Sequence, residues 1–582
     1  MKRVLIIAIS GLLLGPTVPA AAARRGETCR TCHRGIEDAH PKASLACTTC
    51  HRGDPSAKSE DRAHAGMWAN PSDLRVVDQT CGLCHTAITQ AVKASIMAHR
   101  SGTQSGTLFP NGLQPTREGV RFAMTPVPVH PAPWTAGKHP PGAVDGLEPL
   151  PTFKESGDIV SDLLRKECTS CHLWTPAKAV RGNFRATGCA ACHMPYTEDG
   201  RSQSKDQAMN PAKAGRPLRH QLTKQIPITQ CATCHNGGSR AAMNLRGMME
   251  APPEGTQTFT YDQDLLHGHA YIPQTPDVHY TRGLACIDCH TEKEVHGDGF
   301  VYAKRHYYVE IRCESCHGTP ERLATGLTAK GRRLRNVFVA AAPNATGIVT
   351  LVGKLTGTVH TIPQLATLPK QPAGHEATHL AKMECYACHT AWAPTCYGCH
   401  IKMDYTAYAN PVDVAFDHLS GEHSRQGWFR LTAGVRFADP EPILGVNWRG
   451  KVVPFVPRAQ PLFTYVNAAG KTEYEFKKFG FAHNPIVPHT VVAASRTCES
   501  CHANPRTLGL GMFTSKEHPK LEEFRQPSDY RWDRIVDEDG KPLQAQTVDG
   551  ARPLNREEMD RIRNAPYKLP ATAIGAAGGA NP

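Results

Sequence analysis

The chain has 582 residues, 40% of them hydrophobic and 20% charged, a composition that excludes both a disordered polymer and a membrane-spanning bundle. A net charge of +13 would, taken alone, point to nucleic acid or an acidic membrane surface. Twenty-two cysteines in a chain of exported type would ordinarily be read as a disulfide framework.

Residues 1–23 read as a signal peptide: a basic head at Lys2 and Arg3, an apolar run from Val4 to Leu14 too short to span a bilayer, and a small-residue stretch from Val18 to Ala23. The expectation is export to the periplasm, with an extracellular or outer-membrane-associated location as the alternative. With no cysteine before Cys29, a lipid anchor is not expected.

Residues 24–100 introduce the element that recurs to the end of the chain, a cysteine pair spaced by two residues and followed at once by histidine. The first three motifs are Cys29/Cys32/His33, Cys47/Cys50/His51 and Cys81/Cys84/His85, and the next three are Cys168/Cys171/His172, Cys189/Cys192/His193 and Cys231/Cys234/His235. The second half adds Cys286/Cys289/His290, Cys313/Cys316/His317, Cys385/Cys388/His389, Cys396/Cys399/His400 and Cys498/Cys501/His502. Eleven motifs consume all 22 cysteines. Two thiols three positions apart on a short helical turn can each add to one vinyl group of a haem, and the histidine that follows then lies under the iron. Zinc knuckles and disulfides tolerate any residue at that position. With histidine at about one residue in twenty, eleven of eleven by chance is of order one in 10^14. The cofactor expected is haem c, eleven copies, covalently attached.

Of 30 histidines, those outside the motifs outnumber the eleven irons, so two histidine ligands at every iron are affordable. A histidine seven residues before the first cysteine recurs at His40, His279 and His306, a spacing read as that of a ligand, either of a neighbouring iron or of its own. Further distal candidates are His220, His375, His379 and His489, then His64, His99, His296, His360, His418, His423, His483 and His518. His130, His139, His267 and His269 read more simply as hydrogen-bonding residues, and Met97 and Met194 as packing residues rather than ligands.

In chain order the motifs divide the protein into a trihaem module at 24–100, a Pro/Gly-rich haem-free segment at 101–160, a second trihaem module at 161–240 and a dihaem module at 241–320. A β-rich insertion at 321–374, a dihaem module at 375–405, a second β-rich insertion at 406–490, the last haem at 491–520 and a tail at 521–582 follow. The 101–160 segment favours loop and short strand over helix. Strands are expected at Val337–Ala341, Ile348–Val352 and Leu355–Val359, and a hairpin at Phe463–Phe476 around the turn Asn467–Lys471. A short helix is expected at Arg556–Arg563, and disorder from Ala571. The fold class expected is a multihaem cytochrome c, mainly irregular with short helices around covalent haems and small antiparallel β insertions. Haems substitute for a core, so no large hydrophobic cluster is expected.

The cofactors also change the charge argument. Each oxidised haem with its propionates contributes roughly −1, so eleven would bring the holoprotein near neutrality, and nucleic-acid binding is not expected. Redox partner proteins are, either a quinol-oxidising membrane complex or other cytochromes.

The segment from Asp277 to His290 (DVHYTRGLACIDCH), with His296-Gly-Asp-Gly beyond it, and the close motif pair from Cys385 to His400 resemble exported multihaem cytochromes related to the octahaem tetrathionate reductase and hydroxylamine oxidoreductase group. The resemblance covers the motif clusters, about half the chain, and implies stacked and perpendicular haem pairs with mostly bis-histidine ligation. The sequence departs from the enzymes in having no Cys-x-x-Cys-Lys motif, no widely spaced haem cysteines and no spare cysteine. Tyr302, Tyr307, Tyr308 and Trp392 read as haem-packing groups. The reading is electron transfer in a respiratory chain; the alternative is a reductase or oxidase of a small nitrogen or sulfur compound at one open iron, and a third is a subunit of a conducting filament or outer-membrane conduit.

Overall fold

The computed structural model describes residues 27–565 except 44, 126, 128–138, 169–170, 238–240, 252–264, 341–346, 369–374, 376, 407–414, 418–421, 425–426, 433–434, 459, 479 and 512–531. The signal-peptide reading, the tail from Ala571, His130, His418 and His518 therefore lie outside the described residues, and only the backbone of His423 is described.

Short helices dominate the motif-bearing parts because most of the cysteine pairs sit on a single helical turn. Helical turns run over Cys29–Cys32, Cys47–His51, Ala190–His193, Ile228–Ala232, Cys286–Cys289, Glu314–His317, Cys385–Cys388 and Glu499–His502. In motif after motif the histidine N–H donates to the first cysteine's carbonyl, as at His33 (2.9 Å), His85 (2.8 Å), His290 (2.9 Å) and His502 (2.9 Å). That i to i−4 bond fixes both thiols and the imidazole on one turn.

The tenth motif differs from the helical turn the spacing predicts. Cys396 lies on the strand Ala393–Tyr397 and Cys399 on Cys399–Asp404, with Gly398 between them at φ 62°. That left-handed residue lets the chain pass directly from one strand to the next. The second strand is central in a four-stranded sheet ordered Trp428–Thr432, Cys399–Asp404, Pro461–Val466, Thr472–Lys478, the middle pair parallel. The hairpin read at Phe463–Phe476 is the Pro461–Val466 and Thr472–Lys478 pair, turned at Asn467, whose carbonyl accepts from Gly470 N–H.

A second four-stranded sheet is ordered Ala482–Pro485, Val452–Arg458, Leu444–Val446, Arg552–Pro553, so the C-terminal tail closes onto the insertion. The capping box of Asn555 and Glu558 then opens the helix Arg556–Asn564. In the 321–374 insertion the third strand is Val359–Thr361, later than the sequence suggests, because Gly353–Thr358 turns and bonds back on itself. The 101–160 segment opens with a helix, Ser101–Leu108, where loop was expected. It packs against Lys304 and Thr547 at Gly102 and Gly106, and its Ser101, Gln104, Ser105 and Leu108 are buried, packing that outweighs the low helix propensity of the two glycines.

Large apolar clusters are present, contrary to the sequence expectation. Ile443, Leu444, Val453, Phe455, Leu508, Ile535, Val536, Leu554 and Met559 form one, and Leu108, Leu150, Ile159, Leu164, Met403 and Phe463 belong to another. Each assembles residues far apart in the chain, which no local periodicity reveals. No helix among the described residues is long and apolar enough to cross a membrane.

Candidate functional site

Ten of the eleven motifs line one continuous cavity of about 5740 Å³. That is about 570 Å³ per motif, within the roughly 300–1,000 Å³ of a pocket for a single medium-sized ligand. Large apolar side chains otherwise left exposed, Leu83, Ile88, Leu222, Val359, Leu368 and Val487, stand on its wall. None of the 22 cysteines is in a disulfide.

Across this cavity, motif histidines face histidines from elsewhere in the chain. The ring-centroid separations are 6.1 Å for His33 and His64, 5.8 Å for His51 and His220, 6.3 Å for His85 and His40, and 5.8 Å for His193 and His296. They are 6.4 Å for His290 and His489, 6.2 Å for His317 and His279, 5.8 Å for His389 and His375, and 6.2 Å for His502 and His379. Two imidazoles bonded to one metal from opposite sides, each at about 2 Å through a ring nitrogen, have centroids about 6.3 Å apart.

Hydrogen bonding fixes the tautomer at the same residues. Nδ1 points to a backbone carbonyl in His51 (Trp68, 2.8 Å), His193 (Thr223, 2.8 Å), His220 (Glu37, 3.1 Å), His317 (Pro363, 2.9 Å), His389 (Val492, 3.1 Å), His489 (Val487, 2.9 Å) and His502 (Ile562, 2.5 Å). A carbonyl only accepts, so Nδ1 carries the hydrogen and Nε2 presents its lone pair to the cavity. Burial pushes His489 down to about 4, which keeps this ring neutral and ready to ligate. Its φ of 59° is rare for a residue with a side chain, so backbone strain is retained at a histidine that faces a motif histidine.

In three couples the acceptor is a carboxylate: Asp206 for His33 (2.8 Å), Asp277 for His279 (2.8 Å) and Glu294 for His290 (3.0 Å). These second partners were not singled out from sequence. Asp277 and Glu294 carry a local signal, two and four residues from their histidines, whereas Asp206 has none. Burial opposes charge on His290, but the Glu294 carboxylate outweighs it and raises this histidine's pKa. A carboxylate on Nδ1 makes the imidazole a stronger donor and favours the higher metal charge. Glu294→Gln is therefore expected to raise the potential of a metal held by His290 by about 60–120 mV, for a tenfold to hundredfold loss of preference, checked by spectroelectrochemical titration.

Glu37 supports the His220 couple. Burial works against its charge, but donation from the Ser204 hydroxyl and the Lys205 and His220 N–H groups prevails and lowers its pKa from 4.5 to about 2. The stabilisation is complete above the unfolded value of 4.5 and is lost as pH falls through about 2. An acid titration by circular dichroism should show loss of order over that window, and Glu37→Gln should flatten it.

The remaining candidates are placed otherwise. His99 and His483 are fully buried, and His483 Nδ1 bonds Gln544 (2.8 Å). His360 lines the cavity from the strand Val359–Thr361. His306 shares the spacing of His40 and His279, which face the motif after the one they precede. His389, the counterpart for His306, already faces His375, and His306 packs instead on Tyr307 (4.0 Å) and Trp448 (5.0 Å). Among the motif histidines, Nε2 of His172 bonds Thr175 (2.6 Å) and Nε2 of His400 bonds Thr464 (2.9 Å), while His235 lies on the cavity wall. His267 bonds Asn183 (3.0 Å), His269 lies 3.4 Å from Glu250, and His139 stands edge-on to Phe300. No protein-family model, curated protein or solved structure matches the chain.

Proposed function

We propose that this protein is an exported electron-transfer cytochrome that binds haem c at its Cys-x-x-Cys-His motifs and exchanges electrons with redox partner proteins. The observation that carries the reading is the set of eight histidine couples with centroids 5.8–6.4 Å apart along one cavity bordered by the motif thiols. Haem c supplies a one-electron iron centre at each motif.

The chain's own residues do the rest. Paired cysteines would tether the haem and the two imidazoles of a couple would hold its iron, and in ten of the sixteen rings a backbone carbonyl or a carboxylate on Nδ1 fixes the ring's orientation. At the eight couples two histidines would hold the iron and would keep small molecules from it, which suits electron transfer better than substrate reduction. The resemblance to the octahaem tetrathionate reductase and hydroxylamine oxidoreductase group is compatible with either role.

The test is electron paramagnetic resonance of the oxidised holoprotein, with carbon monoxide difference spectra of the reduced form. Low-spin irons that do not bind carbon monoxide are expected at the eight couples. Predominantly high-spin, carbon monoxide-binding iron would overturn the reading and make a reductase the better one.

A further inference from the structure

The order in which the motifs touch differs from the order in which the chain visits them. Let sites 1 to 11 be the motifs in chain order. Sites 1 and 2 meet where the Cys29 and Cys47 sulfurs lie within 4.8 Å of one another, and Cys50 of site 2 lies within electrostatic reach of Cys81 and Cys84 of site 3. The line then passes site 4 by. The Cys81 thiol meets that of Cys189 in site 5, and Cys189 N–H donates to Ser72 O, ahead of site 3, at 3.2 Å.

Site 5 leads to site 6 through Cys192 and Cys231, with Gln230 Nε2 donating to Ala191 O at 2.7 Å. Cys231 meets Cys286 of site 7, and Cys289 lies within electrostatic reach of Cys316 of site 8. Cys313 meets Cys385 of site 9. Cys388 lies beside Cys498 and Cys501 of site 11, where Arg496 N–H donates to Cys388 O at 3.0 Å. Site 4 joins this line at site 6, through Cys171 and Cys234. Site 10 sits in the sheet, with Cys396 near Glu250 and Arg436.

We infer that electrons cross the protein in the order 1, 2, 3, 5, 6, 7, 8, 9, 11, with direct passage from site 3 to site 5 and from site 9 to site 11. The inference rests on the haem reading above. Each step moves one electron from a reduced site to its oxidised neighbour, so a reduced partner protein at one end is oxidised as an oxidised partner at the other is reduced. Site 4 meets site 6, and the direct meeting of sites 3 and 5 gives a passage between the ends that does not require it.

The experiment uses full-length holoprotein. Since haem attachment consumes every native cysteine, thiols introduced by Ser59→Cys near site 1 and Arg563→Cys near site 11 are unique anchors for a single-molecule junction. Deleting site 4 (Cys168→Ala, Cys171→Ala) is expected to leave the end-to-end conductance unchanged, and deleting site 7 (Cys286→Ala, Cys289→Ala) to lower it by orders of magnitude. Loss on deleting site 4, or equal loss from both deletions, overturns the order. An electron cryomicroscopy map of the unmutated holoprotein decides the matter even if a deletion misfolds. It should place the irons of His85 and His193 as neighbours and that of His172 beside that of His235; an iron of His172 interposed between His85 and His193 overturns the order. A haem count of zero would instead defeat the reading on which the order rests, and it is read before any conductance is measured.

Discussion

Expressed without haem-attachment machinery, the chain is expected to be unfolded: digested at many sites by a protease that spares the holoprotein, and without a cooperative thermal transition. At about 24 cal/mol per Å³, leaving even a tenth of the 5740 Å³ cavity dry would cost about 14 kcal/mol, near the top of the roughly 5–15 kcal/mol by which domains are stable at all. Water could fill the space, but then the apolar wall at Leu83, Ile88 and Leu222 stays wet and contributes nothing to folding. The metal couples add a second term. His51 with His220, and His290 with His489, close loops of well over a hundred residues, and a disulfide closing a loop of that size is worth about 4–5 kcal/mol in the chain-entropy model. A compact, protease-resistant apo-chain with a sharp melting transition would show that the sheets and their clusters carry the fold alone.

Removing one distal ligand should create one reactive iron. His489→Gly deletes the imidazole facing His290 and relieves the positive φ of residue 489, so the substitution does not add backbone strain. The thioether cysteines Cys286 and Cys289 are untouched, so the haem count should stay the same as in the unmutated protein. What should change is that a single high-spin signal appears, with stoichiometric carbon monoxide binding in the reduced state, while added imidazole restores the original spectrum. The same substitution at His306, which faces no motif histidine, should leave spin state alone. If His489→Gly leaves every iron low-spin and His306→Gly does not, the assignment of the two histidines is reversed.

The motifs and the supply of further histidines were legible in the sequence because each motif is a contiguous pattern. The distal partners were legible only as a pool. His40 and His279 share a spacing that suggested ligation, but His306 shares it too and packs on Trp448, because spacing sets a residue's place along a turn and not what lies across the cavity. Couples such as His193 with His296 join different motif clusters and leave no local trace. Strands announced themselves where alternation was clean, as at Phe463 and Tyr465. The buried clusters did not, since Leu444, Leu508, Ile535 and Leu554 come from separate stretches of the last third of the chain and meet only when those stretches pack together. The strand conformation of Cys396 and Cys399 was hidden for the converse reason: the motif is unaltered, and the parallel partner Pro461–Val466 that holds it extended comes some sixty residues later.

The histidine couples also bear on how such a chain can be divided. The residue across from His51 lies beyond the next motif cluster's first two members, the one across from His193 lies in the 241–320 module, and the one across from His502 lies in 375–405. A cut at any of those boundaries leaves each fragment holding half of a ligand set. Clusters that look like interchangeable parts along the sequence are therefore interlocked in space. Its modules cannot be shuffled, duplicated or lost one at a time without stranding a histidine of a couple in another.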